Sequence, residues 1–124
     1  MGPIESFARA RGMQVNASGG GALSITVHAF PDLIVDVTVV ESADEWFVEV
    51  RDGASGEQVF DDWCDHYGQA SRDELDRERY ETVTAFLSAV QGAMLRVRRS
   101  PGSFGVRQLQ VRTDAGWRNV WDLT

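Results

Sequence analysis

Residues 23–40 of the chain, LSITVHAFPDLIVDVTVV, decide its predicted architecture. Apolar side chains occupy every second position through 23–27 and again through 33–39, mostly with polar side chains between them, and many of the apolar ones are β-branched. Alternation with a period of two is typical of strands that bury one face. Because the joint at 30–32 is short, the two strands are predicted to pair in an antiparallel arrangement.

The same pattern continues downstream. Residues 46–51 alternate in the same way after a short joint at 42–44. A turn at 52–56 then leads to the segment 57–67, which is predicted to be a fourth strand. These short connections favour an antiparallel meander of about four strands.

A long helix is predicted to follow the meander. Ser71 and Glu74 have the spacing of a capping box, with Ser71 as the N-cap. Acidic residues in the first turns and arginines in the last would suit the helix macrodipole. The predicted helix covers about 25 residues and is stopped by Pro101-Gly102. Its apolar side is formed by Leu75, Tyr80, Val83, Leu87, Val90, Met94 and Val97.

Weaker patterns lie at the two ends of the chain. A short helix is predicted over 4–11. Residues 104–112 and 117–122 are predicted as the arms of a hairpin around a turn at 113–116. The apolar residues of the first arm change phase, which indicates a bulge near Gln108.

Together these elements predict a single α+β domain over 1–124. Its mainly antiparallel sheet would have about six strands, from the meander and the C-terminal hairpin, packed on one long helix. One helix cannot cover such a sheet, so the second sheet face is predicted to be solvated or to hold a partner.

Charge is distributed unevenly along the chain. The formal net charge is −7 at pH 7, yet 32–81 hold sixteen acidic residues against four arginines. The segment from Arg96 to the end contains six arginines and two acidic residues. These arginines are expected to pair with the acidic middle of the chain. An acidic surface attracts basic partners and repels nucleic acid, so we expect a basic protein partner and no nucleic acid. The sequence contains no lysine, so every side chain counted as positive is arginine, which fits a GC-rich bacterial genome.

The compartment is predicted from what the sequence lacks. Cys64 is the single cysteine, so no internal disulfide is expected. The first twelve residues contain no apolar leader segment, and no stretch approaches the roughly 18 apolar residues of a membrane span. We expect a cytoplasmic protein that does not contact a membrane.

The segment 60–67 contains the highest concentration of acidic, aromatic and potentially reactive side chains. Trp63 and Tyr67 are candidate aromatic anchors for a protein partner, because interface hot spots favour these side chains. Acidic neighbours would speed association with a basic partner. The competing interpretation places Trp63 in the core, with the acids keeping an edge strand soluble. The candidate partner-binding residues are Asp61, Asp62, Trp63, Asp65 and Tyr67.

The same segment also contains residue types that serve in catalysis and metal binding. On a strand, Asp62, Cys64 and His66 would share one face, which could suit zinc or a Cys-His nucleophile. However, side chains along one strand do not easily form a tetrahedron, and nearby acids raise a thiol pKa. We therefore predict no catalytic residue, no metal and no cofactor.

Three tryptophans form the alternative site. Trp46, Trp117 and Trp121 could line a ligand pocket between the sheet and the helix, with Trp117 and Trp121 on one face of the last strand. Packing against the helix is the other account of these rings.

The functional hypothesis is a noncatalytic acidic protein-binding module. An immunity, antitoxin or chaperone type of protein that covers a basic partner surface would have this size and charge pattern. The alternative is a small-ligand-binding protein or small enzyme with an aromatic pocket. Two copies could also form a homodimer through open sheet faces.

Overall fold

The order of helices and strands comes from a computed structural model, which describes residues 2–17, 21–40, 45–65, 71–99 and 105–123. The α+β class and the antiparallel sheet predicted from the sequence are confirmed. The described residues form two α-helices, eight strands and a short 3-10 helix at the C-terminal end. In chain order these are α1 (Pro3–Ala10), β1 (Gln14–Ala17), β2 (Ala22–Ala29), β3 (Leu33–Val40), β4 (Glu45–Asp52), β5 (Gln58–Asp65), α2 (Arg72–Val90), β6 (Leu95–Arg99), β7 (Arg107–Thr113), β8 (Gly116–Asn119) and the 3-10 helix (Val120–Leu123).

The meander forms a large sheet of five strands in the order β1-β2-β3-β4-β5, every pair antiparallel. Its strands β2 to β5 match the predicted ones, whereas β1 was not predicted because four residues give too short a pattern. The register shifts between Val50 and Arg51 of β4, where β5 contains one extra residue, Val59. The predicted bulge near Gln108 is wrong, because Gln108 pairs with Arg98 in an unbroken register. The predicted joint at 42–44 lies outside the described residues.

The predicted length of the second helix is wrong. Ser71 caps α2 as expected, its Oγ accepting from the Glu74 N–H at 3.3 Å, but the helix ends at Val90 after 19 residues. Gly92 has φ of 65°, a left-handed conformation that ends helices and favours glycine. The backbone then joins the end of β2, because the Gly92 N–H donates to the His28 carbonyl at 3.0 Å.

Residues 95–99 consequently form a strand, β6, and not the last turns of a helix. This strand, β7 and β8 make a small antiparallel sheet of their own. Trp121 also lies elsewhere than predicted, because the last strand ends at Asn119 and the 3-10 helix begins at Val120. The predicted helix stop at 101–102 falls outside the described residues.

The core lies on one side of the large sheet. Inward side chains of β2, β3 and β4 pack against α2, the small sheet and the 3-10 helix. Within the described ranges, no helix or strand packs on the opposite side. The largest fully buried side chains include Trp46, Phe86, Ile25, Leu87, Leu95 and Leu109.

No described helix combines the length and the apolar content that crossing a bilayer requires.

Asp52 shapes the turn between β4 and β5. Its carboxylate accepts hydrogen bonds from the backbone N–H groups of Ser55 and Ala54, at 3.0 and 2.9 Å. These bonds, that from Ser55 most strongly, lower the pKa of the Asp52 carboxyl below its ordinary value of 3.8. A lowered pKa in the folded state means that the ionised carboxylate stabilises the fold above the unfolded pKa, and that this contribution is lost as the pH falls through the folded pKa.

We therefore expect Asp52→Ala to lower the melting temperature at neutral pH. The difference from the wild type should shrink as the pH falls below about 4, where the wild-type carboxyl also loses its charge. Thermal melts followed by circular dichroism across this pH range measure the effect. A difference that is the same at neutral and acidic pH would contradict the assignment.

Candidate functional site

The outward side of the large sheet, which we name the open face, gathers side chains from all of its longer strands. Strand register places these side chains in rows across the sheet. One row is Thr26, Asp36, Glu49 and Asp61, and the next is Ser24, Thr38, Phe47 and Trp63. The flanking rows are Val40, Glu45 and Asp65 on one side, and His28, Ile34, Arg51 and Gln58 on the other.

The local sequences explain why acids and aromatic rings meet there. In β4, EWFVEVRD, alternation buries Trp46, Val48 and Val50 and turns the intervening side chains outward. In β5, QVFDDWCD, the same alternation turns Asp61, Trp63 and Asp65 outward, opposite those of β4. Since β4 and β5 are adjacent and antiparallel, two acidic and aromatic patterns combine into one surface.

The acidic row is partly neutralised by one arginine. Arg51 donates to Asp36 Oδ2 from Nη2 at 2.7 Å and from Nε at 3.2 Å, and its Nε lies 3.5 Å from Glu49 Oε1. Thr26 Oγ1 donates to the other Asp36 oxygen at 2.6 Å. Asp61, directly across from Glu49, forms no ion pair with any residue that the structure describes. Like charges placed opposite each other on neighbouring strands repel, so a further cation would stabilise this pair.

The aromatic row supplies an apolar centre beside the acids. The Phe47 and Trp63 rings lie 4.9 Å apart between centroids and are tilted by 58°. Trp63 is 57% exposed. A cavity of about 500 Å³ lies between these rings and the carboxylates of Glu49 and Asp61. A second cavity of about 450 Å³ begins on the other side of Phe47 and reaches Asp36.

The predicted partner-binding residues divide between two sides of β5. Asp61, Trp63 and Asp65 lie together on the open face. Asp62 is on the helix side, where its Oδ2 accepts from Trp121 Nε1 at 2.9 Å. Tyr67 lies outside the described residues.

Sequence reasoning missed three members of this surface: Asp36, Phe47 and Glu49. The alternation in β3 and β4 already separated these side chains from the core, but it did not show which of them lie opposite Asp61 and Trp63. Only the strand register gives that information.

The three tryptophans of the alternative site do not form one group, because Trp117 lies apart from the other two. Trp46 is 1% exposed, and its ring contacts Phe86 and Trp121 at 5.6 and 5.7 Å between centroids. Trp121 also stacks on Phe86 at 5.1 Å. Trp117 is on the outward side of the small sheet, with the Arg96 guanidinium 4.3 Å from its ring centroid. Two of the three rings thus pack between the sheet and α2, and the third is elsewhere.

A larger cavity, of about 610 Å³, lies where the start of β1, the β2–β3 turn and the end of α2 meet. Met13, His28, Phe30, Leu33 and Gln91 are among its lining residues. None of the three tryptophans lines it.

Cys64 is half-buried on the helix side of β5. Burial raises the pKa of its thiol to about 12, and Asp62 and Asp65 add to this effect. The predicted direction is confirmed, with burial as the larger cause. No three described His, Cys, Asp or Glu side chains are grouped so that they could hold a metal ion. His66 lies outside the described residues.

We expect Cys64 to be a poor nucleophile in the folded protein. A pKa of about 12 leaves very little thiolate near neutral pH, and thiolate is the reactive form. Alkylation by iodoacetamide near pH 8 should be at least about 100-fold slower in the native protein than in urea, where the pKa returns to its ordinary range. Mass spectrometry of timed samples measures both rates. Similar rates in the two states would contradict the burial argument.

The expected pairing of the C-terminal arginines with the acidic middle of the chain is not found among the described residues. None of the six forms an ion pair with a carboxylate in the part of the chain that the structure describes. Because the chain leaves α2 at Gly92, these arginines lie on or beside the small sheet. Arg107 Nη1 instead donates to the Val59 carbonyl at 3.0 Å, and Arg96 Nε donates to Gln110 Oε1 at 2.8 Å.

Comparison with known proteins gives no relative from which a role could be carried over. The chain matches no protein-family model, no curated protein and no solved structure.

Proposed function

We propose that this chain is a noncatalytic protein-binding module that holds a basic partner against its open face. One observation carries the proposal: a row of carboxylates lies beside an exposed aromatic pair, on a sheet face that no described helix or strand covers. The proposed contacts are Asp61, Trp63 and Asp65, joined by Phe47 and Glu49.

The two kinds of side chain would have different effects on binding. Carboxylates attract a basic partner over distance and raise its association rate. Trp63 offers the large apolar surface that a desolvated interface centre requires. Arg51 shows how a guanidinium fits among these carboxylates, because its own guanidinium lies between Asp36 and Glu49 on this face. A partner's arginine or lysine would give Glu49 and Asp61 a similar counter-ion.

The proposed biological role is occlusion. A partner with a basic active site or a basic surface would be blocked while that surface is held against the acidic sheet. Immunity, antitoxin and chaperone proteins act in this way, and a cytoplasmic location would suit each of them. The analogy rests on size, charge and the open face.

The small-ligand alternative has less support. Trp46 and Trp121 are in ring contact with Phe86, so these side chains fill the space between sheet and helix that a ligand would need.

The test is capture of a partner at low salt, followed by titration of that partner in purified form. Glu49→Gln/Asp61→Asn, which we name the open-face variant, removes two charges without changing side-chain size. Asp73→Asn/Glu81→Gln removes two charges from the exposed side of α2 and is the matched control.

We expect the open-face variant to bind at least about tenfold more weakly than the wild type, and the control to bind normally. The wild-type affinity should fall steeply as salt is added. If both variants weakened partner binding equally, the effect would come from net charge alone, and the proposed binding face would be wrong. Unchanged binding by the open-face variant would overturn it as well.

A further inference from the structure

A second sheet surface that no described helix or strand covers lies on the small sheet and has the opposite charge. Leu95, Leu109 and Val111 turn inward and are buried. The outward side, which we name the basic face, includes Arg96, Arg98, Gln110, Arg112, Trp117 and Asn119. No acidic side chain of the described strands shares this side with the three arginines.

Contacts within the basic face hold part of it in place. Arg96 Nε donates to Gln110 Oε1 at 2.8 Å, and Gln110 Nε2 donates to Asn119 Oδ1 at 3.0 Å. The Arg96 guanidinium also stacks over the Trp117 ring at 4.3 Å. Arg98 and Arg112 are exposed and form no ion pair with a carboxylate in the described ranges. Two guanidinium groups therefore remain available to an anionic surface.

We propose that the basic face of one copy docks on the open face of a second copy. The charges are complementary, since three arginines would meet five carboxylates that have only Arg51 among them. Both surfaces are antiparallel sheet faces, a shape that packs face to face. A nucleic acid would also bring anions to the arginines, but it would be repelled by the net charge of −7 and would leave the open face bare.

Self-association of this kind would regulate the open face. This role rests on the function proposed above. A docked copy covers the carboxylates that the basic partner needs, so the second copy and the partner compete for the open face. The two contacting surfaces are different, so the interface is heterologous and leaves one free face of each kind at the ends of a dimer. Assembly can then continue beyond two copies as the protein concentration rises.

Two variants with complementary defects test the docking. The open-face variant, Glu49→Gln/Asp61→Asn, keeps its basic face. The basic-face variant, Arg98→Gln/Arg112→Gln, keeps its open face. All four side chains lie outside the core, and circular dichroism melts check that both variants fold. Asp73→Asn/Glu81→Gln is again the control with altered charge.

Sedimentation velocity at low salt is the measurement. We expect the mass of the wild type and the control to rise with concentration and to return to the monomer when salt is added. Each face variant alone should remain monomeric. An equal mixture of the two should reach twice the monomer mass and go no further, because only one complementary pair of faces remains.

Three results would overturn the inference: a wild type that stays monomeric, a face variant that associates like the wild type, or a mixture that does not pair. Binding of a single-stranded oligonucleotide, abolished by Arg98→Gln/Arg112→Gln in a monomeric wild type, would assign the basic face to nucleic acid instead. Capture of a basic partner by a monomeric wild type would leave the proposed function standing while this inference fails.

Discussion

Replacing Trp63 with alanine is expected to weaken binding of the basic partner by at least about 30-fold, the effect of losing a hot-spot tryptophan worth about 2 kcal/mol. Trp63 is 57% exposed in the free chain, so most of its apolar surface is available for burial by a partner. It lies beside the carboxylates that would form the polar rim of the interface. The loss should appear mainly as a faster dissociation rate, because the steering charges are unchanged.

The same substitution should have little effect on folding. Trp63 has one described ring neighbour, Phe47, and a pair of this kind contributes about 0.5–1.5 kcal/mol. Surface plasmon resonance with the purified partner gives the rates, and urea unfolding gives the stability.

Trp117→Ala is the matched control for Trp63. It removes an equal ring from the outward side of the small sheet, and the affinity for the basic partner should not change at concentrations where the chain is monomeric. An unchanged affinity for Trp63→Ala, or an equal loss for Trp117→Ala, would move the binding site away from the open face.

The parts of the fold that the sequence predicts best are those where a single pattern has no competitor. Strands β2, β3 and β4 follow from apolar residues at every second position, and α2 begins where a capping box places Ser71. The end of α2 was ambiguous, because Val90, Met94 and Val97 fit a helical period while Leu95 and Val97 fit a strand. The left-handed backbone of Gly92 ends the helix, so the following residues form a strand. The conformation of this glycine cannot be read from a single sequence.

Only those residues of the candidate site that lie on the same strand could be grouped from the sequence. Asp61, Trp63 and Asp65 follow from the alternation in β5. The same alternation places Asp62 on the opposite face with Cys64, so including Asp62 among the partner contacts was inconsistent with the strand pattern. Glu49 and Phe47 join the site through cross-strand neighbours, which depend on loop lengths and on the shift at Val50. The basic face could not be foreseen in full, since Arg96 and Arg98 belong to it only because β6 is a strand.

Replacing Trp46 with alanine is expected to have the largest effect on stability of any substitution considered, a loss of about 3–5 kcal/mol. The ring is 1% exposed and joins the large sheet to α2 and the 3-10 helix through Phe86 and Trp121. Because the surrounding structure relaxes only partly around a deleted core side chain, a cavity would remain. Since a domain of this size has a total stability of about 5–15 kcal/mol, the variant should be marginally folded.

Urea unfolding followed by tryptophan fluorescence and circular dichroism measures this loss. Trp117→Ala, at the surface of the small sheet, should lose much less and serves as the control. The same pair of variants tests the ligand-pocket alternative. If Trp46 lined a ligand site and not the packed core, its removal would leave the stability nearly unchanged. A ring that bridges the sheet and the helix, in contrast, cannot be removed without weakening the packing of both. A loss below about 1 kcal/mol, the range of an ordinary surface substitution, would contradict the packing described here.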